Sequence, residues 1–329
     1  MRRISAYSPL RVSFSGGGTD INPFLENYGT SVVNTAIDRG VYVTYTEDMQ
    51  PLEISSRHNV KTIIFGDSED ESFQDSMVRF LTEYGIKTGR LYINGEVPPG
   101  SGLGSSSAMM TALIRVLKEI RNEYDGPENL AREAYLAERD SFGITLGIQD
   151  PYAIAFGGFK SMESMGMEPN FSLFNDTEVM NKLSAGMIIC YTGNTRESSA
   201  VLRDQVEKAK KGENDTIDKL VRMKRIAQSM KKAVEDNDWH RFNELVNSGW
   251  GIKKSLGTKV SGKNIDFIVN TAIESGALSA RLLGGGSEGF VLALCDRDKL
   301  WSVQQSLKKI SKFVMRVSPV VKGTELFTF

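Results

Sequence analysis

The sequence predicts an α+β protein built on antiparallel sheet and divided into two domains, residues 1–184 and 185–329. Three observations carry this reading. The first half opens with runs of β-branched and aromatic residues between turn signals. Helical periodicity takes over from Ala108. A fresh apolar strand then follows a polar stretch near Ser184 and starts a second β-α-β-like passage.

In chain order, Arg11–Ser15, Ser31–Ile37, Val41–Thr46 and Leu91–Gly95 read as strands. Ala108–Tyr124 and Pro127–Phe142 read as helices, with Pro127 suited to a first helical turn and Gly143 to a stop. Gly157-Gly158-Phe159 marks a turn. Beyond the polar stretch Glu168–Lys182, Gly186–Tyr191 is a strand, and Ala200–Asp236 reads as long charged amphipathic helices. The remainder alternates: helix Asn264–Ser275, strand Ala280–Leu283, glycine turn Gly284–Gly289, strand Phe290–Cys295, helix Lys299–Ile310 and a strand around Phe313–Val317. No internal repeat or low-complexity tract interrupts the order.

The chain has 329 residues, 40% of them hydrophobic and 25% charged, with a formal net charge of −1. A near-neutral balance argues against a general nucleic-acid or membrane-surface binder, because both depend on a summed basic field. The sequence opens Met1-Arg2-Arg3-Ile4-Ser5 and turns polar at once, and no apolar run is long enough for a membrane span, so a cytoplasmic protein is expected. Monomer and homodimer both stay open. Cys190 and Cys295 each sit in an apolar strand-like run and read as buried free thiols. With only His58 and His240 besides, a zinc centre has no ligand set.

The most informative segment is Pro98-Pro99-Gly100-Ser101-Gly102-Leu103-Gly104-Ser105-Ser106-Ser107-Ala108, which runs into a helix-compatible stretch. Glycines let backbone N–H groups converge, and the following helix adds unpaired N–H groups and the positive end of its dipole, so a polyphosphate is the natural occupant. The loop lacks the Walker lysine, and no strand-proximal G-x-G-x-x-G dinucleotide fingerprint is present.

Two further glycine-rich segments, Ser15–Asp20 and Leu283–Phe290, complete a set of three. Their order over essentially the whole chain resembles the GHMP kinases, whose central Pro-x-x-x-Gly-Leu-Gly-Ser-Ser motif cradles a nucleotide triphosphate. The string Gly16-Gly17-Gly18-Thr19-Asp20 after Ser8-Pro9-Leu10-Arg11 is similar to the branch acting on heptose 7-phosphate, as is Gln149-Asp150 followed by Ala153 and Gly157-Gly158. Pro151, Ser279-Ala280 and Ser287-Glu288 depart from that branch. The resemblance implies a two-domain GHMP kinase fold, with an N-terminal domain like ribosomal protein S5 domain 2 and a ferredoxin-like C-terminal domain. It also implies ATP and Mg²⁺ as cofactors.

By the same resemblance, Pro99, Gly100, Ser101, Gly102, Leu103, Gly104, Ser105, Ser106 and Ser107 hold the nucleotide, and Ser107 shares Mg²⁺ with Glu138. Asp150 is the catalytic carboxylate, acting as general base or orienting the hydroxyl, with Arg11 beside it. Gly18, Thr19, Asp20, Gly285 and Gly286 meet the acceptor. Glu288, which departs from the family's glycine, would repel phosphate if it faced inward and is expected to face outward. The residues alone leave other readings open: Glu138 beside Arg139 as a solvated helix position, Asp150 as a helix cap, Arg11 as a surface arginine and Asp20 as a turn former. Arg196, in the turn Thr192-Gly193-Asn194-Thr195-Arg196, offers a guanidinium that could grip a substrate phosphate bidentately.

The acceptor is expected to be a small phosphorylated metabolite. Overall resemblance to the archaeal mevalonate 3-phosphate kinases of this branch, with a similar Ser-Pro-Leu-Arg opening, together with the departures at Pro151, Ser279 and Ser287-Glu288, inclines the reading toward mevalonate 3-phosphate, phosphorylated at its 5-hydroxyl, with heptose 7-phosphate as the alternative. A GHMP-fold decarboxylase and a silent sensor are the rivals from other classes. Retention of Arg11, Glu138 and Asp150 speaks against the sensor.

Overall fold

A computed structural model describes residues 2–56, 73–193, 198–257, 260–286 and 288–328. The first half contains β1 (Arg3–Ser15), α1 (Phe24–Tyr28), β2 (Thr30–Pro51), β3 (Glu53–Ser56), α2 (Phe73–Glu83), β4 (Thr88–Gly95), α3 (Ser105–Arg121), α4 (Pro127–Leu136), α5 (Gln149–Phe156), β5 (Phe159–Ser164), β6 (Asn170–Leu173) and α6 (Thr177–Ser184). The second contains β7 (Met187–Tyr191), α7 (Ser198–Lys210), α8 (Asn214–Glu235), α9 (Trp239–Ser255), α10 (Lys263–Glu274), β8 (Ala277–Leu282), β9 (Phe290–Cys295), α11 (Leu300–Lys308), β10 (Val314–Arg316) and β11 (Glu325–Thr328).

One seven-stranded sheet runs β11-β1-β2-β4-β3, with β5 pairing β2 and β6 beyond β5; all its pairs are antiparallel except β3 with β4. The two strands expected at Ser31–Ile37 and Val41–Thr46 are one long strand. The first part of β2 pairs β5 and the later part pairs β4, so two shorter strands share one long partner. Along β1, Leu10, Val12 and Phe14 enter the main core while the alternate residues Arg11 and Ser13 line a cavity, the period-2 alternation of a strand.

The second sheet, β10-β7-β9-β8, is antiparallel throughout. Met187 and Ile189 of β7 join the main core, whereas Ile188 and Cys190 join a second core with α10 and α11. Phe290, Leu292 and Leu294 of β9 divide from Val291, Ala293 and Cys295 in the same way, which is why both strands are uninterrupted apolar runs. Position 184/185 falls between the two sheets. The chain nevertheless returns, since β11 pairs β1, and Ala227, Met230, Phe242 and Val246 of α8 and α9 sit in the main core. Both cysteines are free and buried. Among the described residues no helix is long and apolar enough to cross a membrane.

The helix expected over Pro127–Phe142 is α4 followed by a π-helical turn, Ala137–Ser141, which re-aims the side chains beyond Leu136. The apolar run Tyr152–Phe156 is the body of α5. Pro151 occupies that helix's first turn, where the proline's missing N–H has no intrahelical acceptor to lose.

Behind α5, the Lys160 ammonium is fully buried and donates to the carbonyls of Ala153 at 3.2 Å, Gly158 at 3.3 Å and Gly157. Burial pushes its pKa from 10.5 down to about 7. Between those values the unfolded chain binds a proton that the folded chain has released, so this group makes stability rise with pH across that window. Urea-unfolding midpoints measured from about pH 7 to 9.5 should climb in the native protein and climb less steeply in Lys160→Met.

Candidate active site

A cavity of about 700 Å³ lies where β1, the loop before α3, the start of α5, α9 and the Leu283–Phe290 turn converge. That volume suits a bound small molecule. Pro99, Gly100, Gly102, Gly104, Ser105, Ser106 and Ser107 line it. Gly100, Gly102 and Gly104 all have positive φ, of 70°, 74° and 74°, which only glycine adopts without strain. The chain then enters α3, whose first N–H groups lack intrahelical acceptors. Ser101 and Leu103, also expected to hold nucleotide, are instead internal: Ser101 Oγ accepts from the Leu103 N–H at 3.4 Å, and Leu103 is buried in the core.

The loop rests backbone to backbone on the third glycine segment. The Phe290 N–H donates to the Ser101 carbonyl at 3.1 Å, and Gly284 and Gly289 come so close that a Cβ would lie 2.5 Å from Gly102 Cα and 2.5 Å from the Ser101 carbonyl oxygen respectively. Gly284 and Gly285 line the cavity; Gly286 does not. Glu288 is half-buried and away from the cavity lining, in keeping with the outward placement expected from charge repulsion.

Arg11 and Asp150 form a bidentate pair. Arg11 Nε donates to Asp150 Oδ1 at 2.7 Å, Nη2 to Oδ2 at 2.8 Å, and Nη1 to the Gly102 carbonyl at 2.6 Å. The Arg11 main-chain N–H also donates to the Leu103 carbonyl at 2.9 Å. The Arg11 side chain is 6% exposed and that of Asp150 26%, so the carboxylate is the member open to the cavity. Asp150 therefore does not cap α5.

Glu138 is 1% exposed, not solvated. The π-helical turn aims it at α3, where Ser106 Oγ donates to Oε1 at 2.6 Å and Ser107 Oγ to Oε2 at 2.5 Å. Burial, opposed by the two hydroxyls and reinforced by the Asp150 charge, pushes its pKa up to about 7. A carboxylate so reluctant to ionise alone, flanked by two hydroxyl oxygens at the phosphate-loop end of the cavity, fits a hard divalent cation that would take the place of the proton. Among the described residues no cluster of three or more His, Cys, Asp and Glu side chains offers a fuller cage, so phosphate and water would complete the shell.

Asp20 lines the cavity and ties two turns together: Oδ1 accepts from the Gly18 N–H at 2.9 Å and Oδ2 from the Gln149 N–H at 3.0 Å. Burial is the main cause raising its pKa, and the Asp150 charge adds to it. Gly18 lines the cavity but Thr19 does not. The Thr19 hydroxyl is used inside the fold, donating to the Gly16 carbonyl at 2.8 Å and meeting Thr30 Oγ1 at 2.6 Å. Arg196 lies outside the described residues.

Sequence reasoning missed Lys253 and Arg281, both buried and both lining the cavity. Lys253 looks like one more solvated lysine of a charged helix. Arg281 carried a usable signal, an arginine inside the apolar strand Ser279-Ala280-Arg281-Leu282-Leu283.

The family "GHMP kinases N terminal domain" matches residues 73–158, and the family "GHMP kinases C terminal" matches residues 230–310. The chain belongs to the GHMP kinase family. As a GHMP kinase it is an ATP-dependent phosphotransferase with a hydroxyl acceptor and uses Mg²⁺. It is similar to the D-glycero-alpha-D-manno-heptose 7-phosphate kinase of Campylobacter jejuni, at 28% identity over 99% of each chain. It is also similar to the mevalonate kinase of Pyrococcus horikoshii, at 26% identity over 81% of this chain and 83% of that one. The crystal structure of a D-glycero-D-manno-heptose 1-phosphate kinase from Bacteriodes thetaiotaomicron superimposes with a TM-score of 0.80 at 23% identity, covering 99% of each chain, and shares the fold.

The backbone contact between the glycine segments makes a direct prediction. An alanine Cβ at Gly102 would stand 2.6 Å from the Leu283 carbonyl oxygen, at a φ of +74°. The left-handed conformation alone costs about 1–2 kcal/mol. Gly102→Ala should weaken ATP binding by roughly tenfold or more, read by calorimetry. Gly166→Ala, where a Cβ meets nothing within 4 Å, should leave it unchanged.

Proposed function

We propose that this GHMP kinase transfers the γ-phosphate of ATP to a hydroxyl of a phosphorylated sugar of the heptose 7-phosphate class. The observation that carries the chemistry is the Arg11–Asp150 pair, open to the same cavity as the glycine loop and tied to that loop through the Gly102 carbonyl. The choice of acceptor is supported by the end-to-end similarity to the heptose 7-phosphate kinase, which extends further along the chain than the similarity to the mevalonate kinase.

The departures that inclined the sequence reading toward mevalonate 3-phosphate lose their force. Pro151 opens α5 without lining the cavity, and Ser279 Oγ donates to Asn243 Oδ1 at 2.6 Å, against α9 and away from the cavity lining. Ser287 lies outside the described residues.

In the proposed reaction the glycine loop and the start of α3 hold the nucleotide phosphates. Ser106, Ser107 and Glu138 would hold Mg²⁺, which supplies charge neutralisation on the triphosphate when bound. Arg11 takes one lone pair from each Asp150 oxygen, leaving a second for the acceptor hydroxyl. Asp20, with acceptor capacity left on both oxygens, receives a neighbouring sugar hydroxyl. The acceptor oxygen bonds to the γ-phosphorus as the bond to the β–γ bridging oxygen breaks. ADP leaves with that electron pair, and the hydroxyl proton passes to Asp150 late in the step, where a weak base suffices.

ADP formation with ATP and Mg²⁺ across sugar phosphates and mevalonate phosphates, with products identified by mass and NMR, tests the reading directly; preference for a mevalonate phosphate would overturn it. Asp150→Asn should keep ATP binding and lose turnover by about 10²-fold or more, since it removes charge and basicity while keeping shape. Near-native turnover would remove Asp150 from the chemistry. Glu138→Gln should raise the Mg²⁺ concentration needed for half-maximal rate by roughly tenfold, checked by titration at fixed ATP.

A further inference from the structure

Lys253 on α9 and Arg281 on β8 are 4% and 1% exposed, and both line the cavity that holds Arg11 and Asp150. Among the described residues neither has a carboxylate in ion-pair contact. The Lys253 ammonium donates to the Gly284 carbonyl at 2.6 Å. Arg281 donates from Nε to the Leu282 carbonyl at 3.3 Å and from Nη1 to the Phe14 carbonyl. These carbonyls aim the two cations without neutralising them, and they leave donors over: two on the ammonium, and Nη2 of the guanidinium.

Two like charges buried together without a counter-ion are unfavourable. Each is disturbed accordingly: burial, reinforced by Arg281, pushes Lys253 down to about 7, and burial, reinforced by Arg11, pushes Arg281 down to about 10. The nearby carboxylates that favour the charged lysine are Asp20 and Asp150, but Asp150 is engaged by Arg11 and Asp20 by two backbone N–H groups. An anion entering from the cavity would offset both cations at once.

We propose that Lys253 and Arg281 form the binding site for the phosphate ester of the acceptor, placing its free hydroxyl at Asp150. This rests on the reading of the acceptor as a phosphorylated sugar and adds the site that selects it. The position favours the acceptor over the nucleotide. The charges acting most strongly on Lys253 are Arg281, Asp20, Arg11 and Asp150, ahead of Glu138 at the phosphate-loop end. Arg281 is anchored to Phe14, next to the turn that carries Gly18 and Asp20.

The test uses the full chain, with native protein, Lys253→Met, Lys253→Arg and Arg281→Lys compared by calorimetric titration and checked for native thermal unfolding. Heptose 7-phosphate and unphosphorylated heptose are titrated with ADP and Mg²⁺ present, and ADP is titrated separately. In the native protein the phosphate ester should bind more tightly than the free sugar. Lys253→Met should weaken the phosphate ester by roughly 10- to 100-fold and collapse that preference, with ADP affinity changed by less than about twofold. Lys253→Arg, which keeps the charge, should recover part of the loss. Unchanged affinity for heptose 7-phosphate in Lys253→Met, or a matching loss of ADP affinity, overturns the assignment. If native protein binds heptose and its phosphate alike, the phosphorylated-acceptor reading fails instead. Inorganic phosphate, titrated with ADP and Mg²⁺ filling the nucleotide side, then decides the anion site alone: binding that Lys253→Met abolishes upholds it, and binding that is unchanged or absent ends it.

Discussion

Arg11 is the constraint on which the site depends. One buried guanidinium fixes both oxygens of Asp150 and the carbonyl of Gly102, and its own main-chain N–H holds the Leu103 carbonyl. β1, the phosphate loop and α5 are thereby set in a single register, although Arg11 and Asp150 are 139 residues apart in sequence. Removing Asp150 would strand the Arg11 guanidinium, whose side chain is only 6% exposed, and is therefore destabilising. In the proposed reaction the pair serves geometry first: it would hold the Asp150 carboxylate at a defined distance from the glycine loop, and positioning dominates phosphoryl transfer.

The three glycine segments belong to the same construction. Between Gly102 and Gly284, and between Ser101 and Gly289, the two chains approach more closely than any Cβ would allow. Glycine at Gly102 therefore meets two needs, a left-handed φ and a close backbone approach, and Arg11 then binds its carbonyl. At the first segment the Asp20 carboxylate spans Gly18 and Gln149, so the turn that carries Gly18 is fixed to the residue preceding Asp150.

Charge is graded across the cavity. Toward the phosphate loop stands a buried carboxylate held by two serines, shifted toward its neutral form; in the middle is the compensated Arg11–Asp150 pair; toward α9 and β8 stand two cations that, among the described residues, have no carboxylate in ion-pair contact. Opposite departures from ordinary ionisation at the two sides of one cavity suit a cation at one and an anion at the other.

Much of this was legible in the linear chain because it is local. A glycine-serine loop entering an apolar helix specifies an anion site through backbone geometry, and period-2 and helical patterns located most strands and helices from β1 to β10. Arg11, Glu138 and Asp150 were named from motifs whose spacing survives in sequence. The π-helical turn was not legible, since it changes the direction of Glu138 without changing the apolar pattern of α4, and the pairing of β11 with β1 joins opposite ends of the chain. Thr19, Ser101 and Leu103 belong to motif strings yet face into the fold, because alternate residues of a tight turn point to opposite sides. Lys253 and Arg281 became site residues only through packing. A lysine among helix charges and an arginine in a strand acquire meaning when α9 and β8 close over β1, since burial without a counter-ion is a property of three-dimensional surroundings that sequence spacing does not encode.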